Sequence, residues 1–406
     1  MSIAVVNGKL INSENKVNVQ NLMIQNGKVT GVGYIPDEDE STISIFDITQ
    51  SLILPNTFDF FYAPDIRDLN SYIDEIQGSG IFNFALLPNQ MTNVLDHPMA
   101  IEKFLSMKPQ TGTFQLFASA TKDGAPDSLS ELSLLCQAGA SGIYLGRIIE
   151  NEILLKQALT YIDMIGCPIV VGPLTRLITG DTHLNEGDMS FKIGIRGESI
   201  DDEFRRVQDF LSIVERYTRV PIHFLSISSP KAVNHIHEFK NTYHDISVGL
   251  SPFHLILSDN LLSDYNNKLK FNPPLRSESE MNSLHLAFTN GQFDMFTSLH
   301  APSDKEMQPR PFFNTMPYVQ TLNDFFSVAS HLLSESDFDL EQMASFFEAP
   351  ISFRNYKKNQ LGLNDPASFI ALKNHSRDPY EVDLSLGVTT KLSGGVDLLV
   401  HEGVVK

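Results

Sequence analysis

The stretch Leu52–Asp68, LILPNTFDFFYAPDIRD, decides how this chain is read. It is an apolar run of strand length that ends in Phe-Asp-Phe-Phe-Tyr and breaks at Ala63, Pro64 and Asp65. Such a run, closed by a turn and followed by an amphipathic segment, is a strand feeding a loop and a helix. Seven further runs repeat the pattern: Gly80–Pro88, Gly112–Ala120, Ser141–Leu145, Cys167–Gly172, Val220–Ser228, Ile246–Pro252 and Phe293–Pro302. Between them the spacing predicts helices over Ile66–Ile76, Leu129–Ala138, Glu152–Ile165, Asp202–Arg216, Pro230–Phe239 and Glu278–Phe288. Eight βα repeats make the fold class α/β, a closed (β/α)8 TIM barrel rather than an open doubly wound sheet.

The flanking segments have another rhythm. Short alternating runs with hairpin turns predicted at Asn7-Gly8 and Asn26-Gly27 precede the barrel, and short runs with Gly turns return beyond Pro350. The expected division is therefore a small β-sandwich module from residues 1–51 and 350–406, and a barrel over 52–349. Closing the barrel brings its first and last strands together, so the two flanks meet without a long linker.

Composition narrows the function. With 30 Lys plus Arg against 49 Asp plus Glu, the formal net charge of −19 sets a field that repels nucleic acid and anionic membranes. Two cysteines, Cys136 and Cys167, exclude a dense disulfide framework or a four-cysteine zinc knot and suit a reducing compartment. The opening residues carry neither a basic leader nor a long apolar segment, and no run of about 18 apolar residues follows. A soluble, cytoplasmic protein is expected. The 28 phenylalanines, with no tryptophan, read as core filling.

A barrel carries its chemistry at the C-terminal ends of its strands, so those ends supply the candidates. Asp59 is either a base or a carboxylate held by backbone N–H groups, and the second is the commoner fate of a lone strand aspartate. Asn89 ends the second run as a turn residue or an amide aimed at a ligand. His223 and Ser226, three apart, fall on opposite strand faces and make a poor nucleophile and base. Asn272 precedes two prolines that fix the local path, and His300 sits at the expected mouth of the eighth strand. His235 and His237 diverge on a helix, and neither a Walker loop nor a dinucleotide fingerprint is present.

In their order, SLILPNTFDFFYAPD, PIHFLSISSPKAV, ISVGLSPFHLILSD, KFNPPLRSE, DMFTSLHAP and LSLGVTTKLSGGVDLLVHEGVV resemble the segments of dihydroorotases, and the resemblance spans nearly the whole chain. Active members of that family use a binuclear metal centre, usually zinc, to activate water at a cyclic amide. The resemblance implies that the first-strand pattern Asp-x-His-x-His-x-Arg falls on Asp59, Phe61, Ala63 and Asp65. It further implies that the remaining ligand positions are Gly172, Ser226 and Leu299, and that no bridging carboxylate survives near Gly142–Arg147. Asn89, Asn272 and His300 match substrate contacts, whereas the arginine that grips the substrate carboxylate is replaced by Asp65.

These readings lead to four expectations. The chain has no metal, cofactor or catalytic residue, and Asp59, Asn89, Asn272 and His300 form a residual pocket. It is a catalytically inactive dihydroorotase-like protein with a structural or regulatory role in pyrimidine biosynthesis. Its partner is aspartate carbamoyltransferase or a second copy of itself, with no nucleic acid and no membrane. The alternatives are a metal-independent hydrolase of a small cyclic amide built on His300, or a protein that binds a pyrimidine-like ligand.

Overall fold

The computed structural model describes residues 2–11, 17–33, 43–89, 92–107, 109, 112–146, 151–174, 183–301, 312, 319–350, 358–373 and 379–406. The first strands are β1 (Ser2–Ile11), β2 (Val17–Gln25), β3 (Lys28–Val32), β4 (Ile43–Asp47) and β5 (Ser51–Leu54). The last are β14 (Phe369–Lys373), β15 (Tyr380–Leu384), β16 (Val388–Leu392), β17 (Val396–His401) and β18 (Val404–Val405). One sheet runs β18-β17-β14-β5-β1-β2-β3 with β4 also on β1, while β15 and β16 form a separate hairpin. Both ends of the chain thus build the β-sandwich module.

Asn26 and Gly27, both at positive φ, form the turn between β2 and β3. Asn7-Gly8 does not form the expected hairpin. β1 runs through it with a register shift between Val5 and Gly8. A Cβ on Gly8 would lie 2.4 Å from Ile53 Cδ1, so the glycine serves close packing rather than chain reversal.

The expected barrel start at Leu52 also moves. Leu52 and Ile53 pair with β1, and Ser51–Leu54 pair antiparallel with β14. These residues belong to the module, and the barrel begins after Pro55-Asn56-Thr57. The apolar run is continuous because β5 has two buried faces: Ile53 joins the module core while Leu52 and Leu54 join the barrel core. In β14, Phe369 and Ala371 pack on the first core and Ile370 and Leu372 on the second.

The barrel strands are β6 (Phe58–Tyr62), β7 (Asn83–Leu87), β8 (Phe114–Ser119), β9 (Gly142–Leu145), β10 (Ile169–Val171), β11 (Ile222–Phe224), β12 (Ile246–Leu250) and β13 (Met295–Phe296). Neighbours pair in parallel from β6 to β13 in sequence order. At the seam, Phe58 N donates to Phe347 O and Phe296 N to Phe346 O, both at 2.7 Å. The Phe346-Phe347 backbone therefore takes up donors that a β6–β13 ladder would otherwise satisfy.

The helices are α1 (Leu69–Gly78), α2 (Pro98–Ser106), α3 (Leu132–Gln137), α4 (Glu152–Ile165), α5 (Asp188–Ile193), α6 (Ile200–Tyr217), α7 (Pro230–Phe239), α8 (Glu278–Thr289), α9 (Leu322–Ser334) and α10 (Leu340–Ser345). α4 and α7 have the predicted bounds. In α7, Ser229 accepts from Ala232 N at 3.4 Å and Pro230 occupies the first turn. No described helix is long and apolar enough to cross a membrane.

Candidate functional site at the barrel mouth

Period-two alternation gives each barrel strand an inward and an outward face, and ring contacts settle which is which. Phe60 of β6 stacks on His223 of β11, with centroids 5.0 Å apart and planes at 19°. It also meets Phe117 of β8 edge-on at 5.9 Å. None of these strands neighbours another in the sheet, so the contacts cross the interior. Tyr62 likewise reaches Tyr144 of β9, with centroids 6.4 Å apart. Phe60, Tyr62, Phe117, Tyr144 and His223 therefore face inward, and Phe61 faces outward against Tyr72 of α1 at 6.1 Å.

Phe61, which the resemblance sets at a metal-ligand position, is thereby turned away from the barrel interior. Asp59 shares its face. Fully buried, Asp59 accepts from Phe60 N at 2.7 Å and from Ser298 N at 2.8 Å, which makes it a carboxylate tie across the β6–β13 seam. Burial raises its pKa to about 6, against the opposing pull of hydrogen bonds from Ser298 and Phe60. Ala63, just past the strand, is buried with its N–H on Leu87 O at 2.8 Å.

His300 is not in the expected mouth pocket. It stacks on Tyr72 of α1 at 6.2 Å, its Nδ1 accepts from Thr321 N at 3.3 Å, and its Nε2 lies 3.7 Å from Glu75 Oε1. Burial pushes its pKa down to about 4, so the ring is neutral at pH 7. Leu299 before it is buried at a φ of 53°, a left-handed backbone that costs a residue with a Cβ.

The other candidates remain apart from these. Asn89 is half-buried beyond β7, with its N–H on Asn93 O at 2.8 Å. Asn272 is half-buried in a loop fixed by His254, whose Nε2 donates to Pro273 O at 2.9 Å. Asp65 caps the turn at Ile66–Asp68 and grips Arg67, with contacts of 2.9 Å to Nε and 2.8 Å to Nη2. The hydrogen bonds from Arg67 hold its pKa down at about 2, so a negative charge stands at the position that the resemblance assigns to a substrate-binding arginine.

Gly172, just beyond β10, is the most informative position. A Cβ there would lie 2.2 Å from the Tyr144 hydroxyl and 2.8 Å from its Cζ. The Tyr144 phenol occupies the space that a larger residue at 172 would enter, and its ring meets Tyr62 edge-on. Ser226 and Ser251, past β11 and β12, are buried with no hydrogen-bond partner for their hydroxyls among the described residues.

A second cluster fixes the opposite loops. Arg276 is buried and donates to Glu203 Oε2 at 3.0 Å, Ser228 Oγ at 2.9 Å, Asn185 Oδ1 at 3.0 Å and Glu198 O at 3.2 Å. Asn185 passes the network to Asp259 at 3.2 Å and Glu280 at 3.1 Å. The connections following β10, β11 and β12 are thus joined through one guanidinium. In the sequence Arg276 only closes the proline-containing stretch KFNPPLRSE. Nothing local links it to Glu203, 73 residues away.

A binuclear metal centre needs several N, O or S donors converging at about 2.0 to 2.3 Å. Phe61, Ala63, Gly172 and Leu299 have no donor in their side chains, and Ser226 has a single hydroxyl. Among the described residues no three His, Cys, Asp or Glu side chains come together. The donor set does not fit that centre.

The chain has relatives by sequence and neighbours by fold among known proteins. No protein-family model matches the chain. It is 25% identical over 325 residues to the dihydroorotase of Ehrlichia canis, covering 76% of this chain and 72% of that one. It is 22% identical over 380 residues to the dihydroorotase of a Wolbachia from Drosophila simulans, covering 91% and 80%. The L-hydantoinase (dihydropyrimidinase) of Arthrobacter aurescens superposes with a TM-score of 0.74 at 17% identity, over 99% of this chain and 95% of that one. The chain is similar to dihydroorotases in sequence and shares the fold of the hydantoinases. The dihydropyrimidinase of Brevibacillus agri gives a TM-score of 0.73 at 15% identity and shares the fold. Within this dihydroorotase-like frame, aromatic rings line the interior and a buried arginine joins the loops above it.

Proposed function

We propose that this dihydroorotase-like chain is noncatalytic and has a structural or regulatory role in pyrimidine biosynthesis, with aspartate carbamoyltransferase as its partner. One observation carries the loss of chemistry: the Tyr144 phenol stands where a side chain at position 172 would project. The resemblance assigns a histidine ligand to that position, so the space for a donor is filled by a ring. A neutral phenol, its pKa raised well above the ordinary value by burial, is a poor ligand for a divalent ion.

The test is dihydroorotate hydrolysis, and its reverse ring closure, by purified protein incubated with zinc, paired with metal analysis after dialysis. No turnover above the blank and well under one zinc per chain are expected. Two tightly held zinc ions with reproducible turnover would overturn the reading. The partnership is tested separately by light scattering of this chain mixed with its own organism's aspartate carbamoyltransferase at micromolar concentration. A joint peak is expected, and separate elution removes the partner while leaving the loss of chemistry standing.

The unpartnered hydroxyls of Ser226 and Ser251 favour a second reading, a pocket for a pyrimidine-like ligand. Calorimetry with dihydroorotate, orotate and uracil discriminates it, since a purely structural mouth gives no heat of binding. The hydrolase built on His300 gains no support from a ring packed against α1.

A further inference from the structure

Cys136 and Cys167 are 31 residues apart in sequence, and the fold brings them together. Cys136 lies in the last turn of α3, and Cys167 follows Gly166, whose φ of 76° ends α4 and turns the chain into β10. Both are half-buried free cysteines with their Sγ atoms 2.6 Å apart. They sit where the chain enters β10, at the barrel face opposite the mouth, so neither belongs to the site described above.

We propose that Cys136 and Cys167 form a reversible thiol–disulfide pair, oxidised by a low-molecular-weight disulfide such as glutathione disulfide, which ties the helix layer to the start of β10. The hydrogen bond from Cys136 lowers the pKa of Cys167, while that same bond and burial raise the pKa of Cys136, so Cys167 is the attacking thiolate. Its sulfur attacks one sulfur of glutathione disulfide, the S–S bond breaks, and one glutathione thiolate leaves. The Cys136 sulfur then gives up its proton and attacks Cys167 of the mixed disulfide, expelling the second glutathione. Two protein thiols are oxidised, one glutathione disulfide is reduced to two thiols, and the protons end on the leaving thiols.

The experiment uses the full chain across a series of glutathione redox buffers, quenched by alkylation and read by intact and peptide mass. The oxidised chain is expected to lose two hydrogen masses, to retain no alkylatable thiol and to yield one peptide pair joining residues 136 and 167. Its melting temperature should rise by a few degrees and return on adding dithiothreitol. In Cys136→Ser the reaction should stop at one glutathione adduct on Cys167. Two thiols still alkylatable in the most oxidising buffer, two stable glutathione adducts on the wild-type chain, or disulfide-linked dimers alone would each overturn the proposal.

Discussion

The two sides of the barrel mouth are held by opposite means. Over β6, β9 and β10 the interior is filled by volume, with Tyr62 and Tyr144 above the Phe60–His223 stack. Past β10, β11 and β12 the connections are held by charge, through Arg276 and Glu203, whose side chains are 1% and 0% exposed. Filling by rings tolerates changes that conserve volume, because dispersion contacts are many and individually small. A buried ion pair does not tolerate losing one partner, since the remaining charge is stranded in a low dielectric. A mouth of this kind has one adaptable side and one fixed side.

Breaking the fixed side should have the largest effect. Arg276→Ala leaves Glu203 buried without its cation and is expected to cost about 3 to 5 kcal/mol of unfolding free energy, measured by urea denaturation. A loss below about 1 kcal/mol would show that water reaches this cluster.

Acid acts on the adaptable side. Burial lowers the pKa of His223 to about 3, far below the unfolded value near 6.5. Stability from keeping this ring neutral is therefore fully present above about pH 6.5 and is lost as pH falls towards 3. Between pH 7 and 4 the loss through His223 should be about 3 kcal/mol, and His223→Phe should flatten the slope by that amount. Denaturation at several pH values reads the difference between wild type and variant.

Gly172→Ala probes the ring-filled side at one atom. The new Cβ would meet the Tyr144 hydroxyl at 2.2 Å, so a cost of about 1 to 3 kcal/mol is expected. Adding Tyr144→Ala should remove the clash, giving a double mutant less damaged than the sum of the singles. Strict additivity would mean that the two positions do not share this space.

The smallest effect marks the contrast between buried and exposed charge. Lys231 and Asp201 are 2.8 Å apart with side chains 67% and 47% exposed. Lys231→Ala should change stability by less than about 1 kcal/mol, and added salt should erase even that.

The amino-acid sequence is enough to specify the βα rhythm, the assignment of both chain ends to one β module, the Asn26-Gly27 turn and the bounds of α4 and α7. These follow from hydrophobic period, turn chemistry and capping, all readable within a few residues. It also determined which side chains lack metal donors, because that is a matter of residue type. Which face of Phe-Asp-Phe-Phe-Tyr points inward is set by packing across the barrel, since two nearly apolar faces carry no contrast for a period-two reading. The same limit hid the double role of β5, the tie from Asp59 to the seam, the contact of His300 with α1 and the reach of Arg276 to Glu203. Each is fixed by packing between segments far apart in the chain, and no local pattern records which distant surface a side chain will meet.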